Sequence, residues 1–166
     1  MIKIREAGPA DGDVLGEIHV AAWRVAYAPS FAPEFAERAL SARLGRWHQR
    51  IADGAGTLLL AELDGRPQGL SFSLPSTERP GLAEISSFYG HPDSWGSGIA
   101  AALMTETLRR MSGGGFTRVH LWTWRDTPQS RRFYAKCGFA ETGATRRFDY
   151  GEGNLIDQVE YERAVG

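Results

Sequence analysis

The residues best suited to bind a charged ligand lie where a predicted strand gives way to a predicted helix. Glu84–Tyr89 has the composition of a buried strand, which Pro92 must end because proline cannot donate a ladder hydrogen bond. From Ser97 onward, apolar residues recur every three or four positions, which predicts a helix with one apolar face. Gly96 and Gly98 allow a ligand to approach the backbone where helix N–H groups are unpaired and the helix dipole is positive. This pattern predicts an anion-binding turn, with a plain strand–helix connection as the alternative.

Two familiar phosphate-binding motifs do not describe this turn. No Gly-Lys-Ser/Thr follows it, as a P-loop requires. It also lacks the three glycines of the dinucleotide-binding motif and stands late in the chain rather than near its start. A nucleotide-binding protein of the Rossmann type is therefore disfavoured.

The segments WGSGIA, residues 95–100, and FYAKCGF, residues 133–139, resemble two motifs of the GNAT N-acetyltransferase family. The first is similar to the family signature Gln/Arg-x-x-Gly-x-Gly/Ala, with Gly98 and Ala100 on its last two defined positions and Trp95 in place of Gln/Arg. The second is similar to the motif Phe-Tyr-x-x-x-Gly-Phe. The opening residues 4–7, with Asp11 after them, are similar to the first strand and helix of the family, so the resemblance covers nearly the whole chain.

The resemblance implies an α/β fold, with a mixed central sheet of about seven strands flanked by about four helices in one domain, residues 1–166. It also implies an acetyl-CoA-dependent N-acetyltransferase that moves an acetyl group to a primary amine by direct attack on the thioester. The alternative is a non-catalytic acyl-CoA-binding or regulatory domain. Tyr134 favours the enzyme, because a binding domain needs no acid at that position.

Acetyl transfer from a thioester to an amine requires a base for the amine and an acid for the departing thiolate. The resemblance implies that Tyr134 is the acid, and that Glu84 is a base acting through a water molecule. For Tyr134 the alternative is a tyrosine of the helix core. For Glu84 it is a solvated carboxylate or one paired with an arginine.

The resemblance further implies how the cofactor is held. Backbone groups of Phe88 and Gly90 would pair with the pantetheine arm, and Gly90 stands where most members have valine. Thr127, Ser130 and Tyr134 would also contact the cofactor, although Thr127 replaces a frequent asparagine of the family and Ser130 takes the place of its alanine. The backbone amides expected to hold the pyrophosphate are those of Gly96, Ser97, Gly98, Ile99 and Ala100.

A stripe of aromatic residues on the first predicted helix suggests the substrate side. His19, Trp23 and Tyr27 are spaced by four, apart from the predicted core face of Val14, Ile18, Ala21 and Val25. The stripe either packs against a neighbouring helix or forms an aromatic wall of the substrate cleft. The second interpretation makes Trp23 and Tyr27 substrate-binding residues.

The remaining reactive side chains carry no separate prediction of chemistry. The four histidines have no metal-ligand spacing, so no metal is expected. His120 is predicted to be a hydrogen-bonded interior residue. Cys137 is predicted to be a small core residue, since no neighbouring base would activate it.

The predicted elements follow the order β α α β β β α β α β β. The second helix is predicted to begin at Ser41 and to present Leu44, Trp47 and Ile51 as its apolar face. Asp64-Gly65 is a hairpin turn signal. The other predicted strands are Thr57–Leu63, Gln68–Leu74, Arg118–Trp124, Phe139–Tyr150 and Leu155–Ala164.

Length and composition describe a single globular domain. The chain has 166 residues, of which 42% are hydrophobic and 23% are charged, with a net charge of −1. This charge gives no general attraction to nucleic acid or anionic membranes, so neither is an expected partner. One cysteine excludes an internal disulfide, and the N-terminus does not resemble a signal peptide. The cytoplasm is the expected compartment and the expected partner is an amine-bearing small molecule, peptide or protein; a homodimer is left open.

Overall fold

The computed structural model describes residues 1–166, and its elements follow the predicted order. The strands are β1 (Ile2–Glu6), β2 (Thr57–Leu63), β3 (Arg66–Pro75), β4 (Ala83–Gly90), β5 (Arg118–Trp124), β6 (Ala140–Asp149) and β7 (Leu155–Ala164). The helices are α1 (Gly12–Ala26), α2 (Pro33–Asp53), α3 (Ile99–Gly113) and α4 (Pro128–Lys136). The strands form one sheet in the order β1-β2-β3-β4-β5-β7-β6. It is a mixed sheet, since β4 and β5 run parallel whereas β5, β7 and β6 are antiparallel.

The chain divides into two compact units, and the first comprises Met1–Leu74 and Ser87–Thr107. Its central strand β2 is buried on both faces. Leu58 and Leu60 pack in one cluster with α1, α2 and β3, while Leu59 and Ala61 pack in another with α3. Two buried faces explain the unbroken apolar run of this strand, because alternating side chains point to opposite sides of a sheet.

Helix α2 begins earlier than predicted, at Pro33 rather than Ser41. Proline suits the first helical position because its fixed φ fits a helix and its missing N–H would have been unpaired there. The predicted apolar face is only partly correct, since Trp47 is buried but Leu44 is 48% exposed. The buried face is made instead of Phe35, Ala36, Ala39, Leu40, Arg43 and Trp47.

Helix α1 also buries a different face from the one predicted. Ile18 is in the core, but Val25 is 54% exposed, and the predicted stripe of Val14, Ile18, Ala21 and Val25 is wrong in that respect. The reason lies in the close packing of α1 on α2. A Cβ added at Gly16 would lie 2.1 Å from the carbonyl oxygen of Leu44, so a glycine is needed at this contact. The face toward α2 is thereby buried as well, and it carries His19 and Trp23.

Two turns of the first unit depend on residues with positive φ, and the hairpin turn forms as predicted. Asp64 and Gly65 both have positive φ, 52° and 82°, which is the geometry that an Asp-Gly hairpin turn requires. Gly54 ends α2 in the left-handed conformation with φ of 60°.

The second unit comprises Pro75–Ser86 and Leu108–Gly166. Strand β5 has the predicted bounds and is buried on both faces, with Val119 and Leu121 on one side and His120 and Trp124 on the other. The indole nitrogen of Trp124 donates to the Tyr150 hydroxyl at 2.6 Å. Strand β5 therefore forms an interior ladder, with β7 on its antiparallel side.

None of the helices combines the length and the apolar character needed to cross a bilayer.

Candidate functional site

The turn between β4 and α3 is fixed by side chains at its own start. A 3₁₀ turn over Pro92–Ser94 follows β4, and the Ser94 hydroxyl donates to the His91 carbonyl at 2.8 Å. The indole nitrogen of Trp95 donates back to the Gly90 carbonyl oxygen at 2.9 Å. Trp95 thus connects the end of β4 to the glycine turn, although the residue remains 44% exposed.

Gly96 and Gly98 take left-handed conformations, with φ of 83° and 88°. A Cβ added at either position would meet no atom within 4 Å, so the surface over the turn is open. The Gly98 carbonyl accepts from the Ala102 amide at 3.2 Å and so starts α3. The turn therefore presents the N-terminus of a 15-residue helix, the feature from which anion binding was predicted.

The amides predicted to hold a pyrophosphate differ in their partners. The Ser97 amide donates to the Ser94 carbonyl at 3.0 Å, and the Ile99 amide makes a long contact of 3.3 Å to the Ser97 hydroxyl. Ile99 itself is buried, whereas Ala100 is half-buried. A ligand on this turn would meet the amides at Gly98 and Ala100 first, since helix formation leaves first-turn amides unpaired.

The strand positions predicted for pantetheine lie at the end of β4. The half-buried side chain of Phe88 packs on the cluster that contains Ile99 and Leu103 of α3. The Gly90 carbonyl is occupied by Trp95. A Cβ at Gly90 would lie 3.7 Å from the Ser94 hydroxyl and 3.8 Å from the Trp95 ring, which is ordinary contact, so the glycine is not a steric requirement of the fold.

In the second unit, α4 carries the proposed acid. Tyr134 is half-buried, and its ring lies 5.4 Å from Phe133, 5.9 Å from Phe139 and 6.2 Å from Tyr161 between centroids. These edge-on and tilted contacts hold the Tyr134 ring in one orientation. The α4 helix then ends at Gly138, whose φ of 87° meets the need for a left-handed residue after the last turn.

Thr127 and Ser130 lie at the beginning of α4. The Thr127 hydroxyl donates to the Trp124 carbonyl at 3.0 Å, so it closes the turn after β5 rather than pointing a free donor outward. Ser130 is half-buried one turn into the helix. Any contact of Thr127 to a cofactor would use its remaining lone pairs.

Glu84 lies on β4 opposite His120 of β5 in the parallel register. It is half-buried, and burial raises the pKa of its carboxyl group above the ordinary value. Among its ionisable neighbours, His120 lowers this pKa and Glu78 raises it. A carboxylate with a raised pKa is a stronger base, which is what proton removal from an amine needs.

A buried polar network lies beside Glu84, and His120 is the one member of it that was predicted from the sequence. The imidazole is wholly buried, with Nδ1 2.9 Å from Glu160 Oε2 and Nε2 2.7 Å from the Ser76 hydroxyl. The prediction of a hydrogen-bonded interior histidine is confirmed. Glu160 was missed, although its place between Val159 and Tyr161 in an alternating strand signals a carboxylate on the opposite face.

The aromatic stripe of α1 lies largely inside the first unit. His19 and Trp23 are each 1% exposed, whereas Tyr27 is half-buried. The Trp23 ring stacks on Phe31 with centroids 5.6 Å apart. The stripe therefore packs against its neighbours, which was one of the two interpretations, and a substrate-binding role for Trp23 and Tyr27 stays a prediction.

Burial also raises the pKa of the Cys137 thiol, which lowers its fraction of nucleophilic thiolate. The prediction of a small core residue is nevertheless only partly correct, because Cys137 is half-buried and lies outside the core.

Comparison with known proteins places this geometry in a family. A model of the Acetyltransferase (GNAT) family matches residues 17–139. An uncharacterised N-acetyltransferase of Mycobacterium bovis is 32% identical over 151 residues, which are 90% of this chain and 95% of the relative.

Solved structures share the fold across the full chain. The PaiA N-acetyltransferase of Thermoplasma acidophilum, in complex with coenzyme A, has a TM-score of 0.76 at 20% identity over 99% of both chains. The protein yncA of Salmonella typhimurium, solved with its cofactor acetyl-CoA, has a TM-score of 0.72 at 19% identity over 99% of this chain and 94% of the other. The α/β fold predicted from the two motifs is confirmed, and this chain belongs to the GNAT family of N-acetyltransferases.

Proposed function

We propose that the chain takes its acetyl group from acetyl-CoA and transfers it to a primary amine in one direct displacement. The main support for acetyl-CoA as the acetyl donor is the open left-handed turn at Gly96 and Gly98, at the start of α3. A pyrophosphate suits this place because backbone N–H groups and the positive end of the helix dipole both favour a multiply charged anion. The coenzyme A and acetyl-CoA named for the two structural neighbours support the same donor.

In the proposed reaction the amine nitrogen attacks the thioester carbonyl carbon, the C–N bond forms and the C–S bond breaks. The amine loses a proton and the coenzyme A thiolate gains one, so the products are an amide and the free thiol. An alkylamine with a pKa of about 10.4 is neutral in only about one molecule in 10³ at pH 7, which is why a base is needed.

Glu84 is the proposed base, acting through a water molecule, and Tyr134 is the proposed acid. The raised pKa of Glu84 supports its role. The ring contacts of Tyr134 support a fixed phenol, as a proton donor requires. The proposed contacts to the cofactor are made by the backbone of Phe88 and Gly90, by the turn Gly96–Ala100, and by Thr127 and Ser130 on α4.

A thiol-release assay with acetyl-CoA and a panel of amines tests the transfer, and mass spectrometry identifies the acetylated product. The alternative, a non-catalytic acyl-CoA-binding or regulatory domain, would bind acetyl-CoA without releasing thiol in the presence of any amine. The cytoplasm as compartment and a homodimer as assembly stay predictions from the sequence.

A further inference from the structure

Three arginines lie on one face of α2 in the first unit. Arg43, Arg46 and Arg50 are separated by three and four positions, which places them on one side of a helix. Trp47, on the same side, is wholly buried against the sheet, so this face points inward. Arg43 is 8% exposed, and Arg46 and Arg50 are half-buried.

Aromatic rings lie against two of these arginines. The Arg43 guanidinium lies 4.3 Å from the Trp23 ring centroid, and that of Arg50 lies 4.7 Å from Trp47. Arg50 also makes a long contact of 3.4 Å to the Ser87 hydroxyl on β4. The pKa of Arg50 falls to about 10, first because of burial and then because of Arg46, and burial also lowers the pKa of Arg46. No carboxylate is among the charges that act on either group.

His19 adds a hydrogen-bond donor to this cluster. Its Nδ1 accepts from the Trp47 indole at 3.2 Å, and its ring stacks on Tyr89 of β4 at 4.3 Å. Burial, with the nearby arginines, lowers its pKa to about 2, so the ring is neutral. Since Nδ1 accepts, the single ring proton is on Nε2, and that buried donor has no partner.

Arg46 and Arg50 are half-buried without a carboxylate among the charges that act on them. This arrangement is costly, because desolvation penalises each charge and the two charges repel one another. Arg50 finds partial compensation in the aromatic rings. For Arg46 the only compensating group is Tyr89, which raises the pKa that burial lowers. Arg46, Arg50 and His19 thus supply more hydrogen-bond donors than this cluster has acceptors, and an anionic acceptor would balance them.

We propose that Arg46 and Arg50 bind an oxyanion of the acceptor substrate, so that the amine acetylated by this protein also carries a carboxylate or phosphonate group. This inference rests on the proposed function and narrows its substrate to small acidic amines such as amino acids. Guanidinium groups suit this task because they bind carboxylate and phosphonate oxygens in pairs.

Matched amines test this inference in the wild-type protein. The panel compares leucine with leucinamide and 3-methylbutylamine, and 2-aminoethylphosphonate with propylamine. We expect kcat/KM for at least one acidic amine to exceed that of its neutral partners by about 10-fold or more, since one charge-assisted contact contributes about that factor. The two acidic arms show whether the oxyanion is a carboxylate or a phosphonate.

Charge-removing variants then locate the binding residues. Arg46→Gln and Arg50→Gln should each lower kcat/KM for the acidic amine about 10- to 100-fold, mainly through KM, and leave the neutral amines unchanged. Arg46→Lys should recover part of the loss. Arg24→Gln is the matched control, because Arg24 is an exposed arginine on α1 paired with Glu37. The KM for acetyl-CoA should not change in any of these variants.

A binding measurement does not depend on turnover. The amine-free acid 4-methylpentanoate should raise the melting temperature of the wild type and not that of Arg46→Gln, with Arg46→Lys as the folded substitute if the glutamine variant does not fold. Equal use of acidic and neutral amines, or a loss of acetyl-CoA affinity in Arg46→Gln, would overturn the inference while acetyl transfer stands. Acid binding without acetylation of any amine would instead contradict the proposed function.

Discussion

At the scale of single residues, the tyrosine of α4 is the sharpest test of the chemistry. Phenylalanine at position 134 keeps the ring and its packing against Phe139 and Tyr161, and removes only the hydroxyl. If that hydroxyl protonates the thiolate, Tyr134→Phe should bind acetyl-CoA almost normally and lose about 10²-fold or more in kcat. Single-turnover kinetics would establish that chemistry limits the rate. Near-normal turnover under those conditions would assign the proton to water.

Tyr161→Phe is a matched control for this variant, because Tyr161 lies beside Tyr134 but its hydroxyl donates to Glu141 at 3.0 Å. It should keep kcat within a few-fold of the wild type. A comparable loss in both variants would mean that removing any hydroxyl from this cluster disturbs the site, and would not support Tyr134 as the acid.

Glu84 predicts a change in both rate and stability with pH. A proposed base works when deprotonated, so kcat/KM should rise as pH rises through its raised pKa. Above the pKa of Glu84, Glu84→Gln should be slowest relative to the wild type at the lower pH values, where amines are most protonated, and recover partly toward the pKa of the amine. Rate profiles from pH 6 to 10 measure this.

Rising pH should affect stability in the opposite direction to the rate. Because the folded pKa of Glu84 lies above its unfolded value, the native state holds the proton more tightly, and its contribution to stability falls as pH rises through that window. Glu84→Gln should therefore melt at a higher temperature than the wild type above the window and show a smaller advantage below it. A variant that loses both rate and stability at pH 8 would indicate a structural carboxylate.

At the scale of elements, the turn before α3 carries the prediction for cofactor binding. Gly98→Glu should abolish the thermal stabilisation by acetyl-CoA, because its side chain would occupy the open surface over the turn and repel a pyrophosphate. A left-handed φ strains any other residue, so a control for strain is needed. Gly65→Glu supplies it, since Gly65 has a φ of 82° and open space in the β2–β3 hairpin. The control should lower stability and still respond to acetyl-CoA; an unchanged response in Gly98→Glu would contradict the phosphate assignment.

The elements also show where the sequence was informative. Strands β5 and β7 have the predicted bounds. Bulky residues on both faces of each strand indicate an interior position in the sheet. Helix α2 was predicted to begin too late because Ser41 is a plausible cap, whereas Pro33 acts as its first residue. The arginines of α2 could not be identified from sequence, because charged residues on a helix usually indicate a solvated face. Only the burial of Trp47 on the same side shows that they point inward.

The two family motifs, residues 95–100 and 133–139, could be identified from the sequence for a different reason. Gly96, Gly98 and Gly138 each require positive φ, and such positions restrict the residue type more strongly than packing does. Packing partners, by contrast, come from distant parts of the chain. Glu160 and His120 are separated by 40 residues, and the hydrogen bond between them exists only once β5 and β7 pair. The sequence could place His120 inside but could not name its partner.

At the scale of the whole molecule, the absence of a linker in the sequence predicts that residues 1–166 unfold as one cooperative domain. Differential scanning calorimetry should then give one transition, with equal calorimetric and van't Hoff enthalpies. Acetyl-CoA at 100 times its Kd should add about 2.7 kcal/mol to the free energy of unfolding, which for a chain of this size raises the melting temperature by roughly 5–10 °C. The transition should move as a whole, because a ligand that binds only the native state stabilises everything that unfolds with its site. A second transition that acetyl-CoA leaves in place would show that part of the chain unfolds independently and would contradict the single-domain prediction.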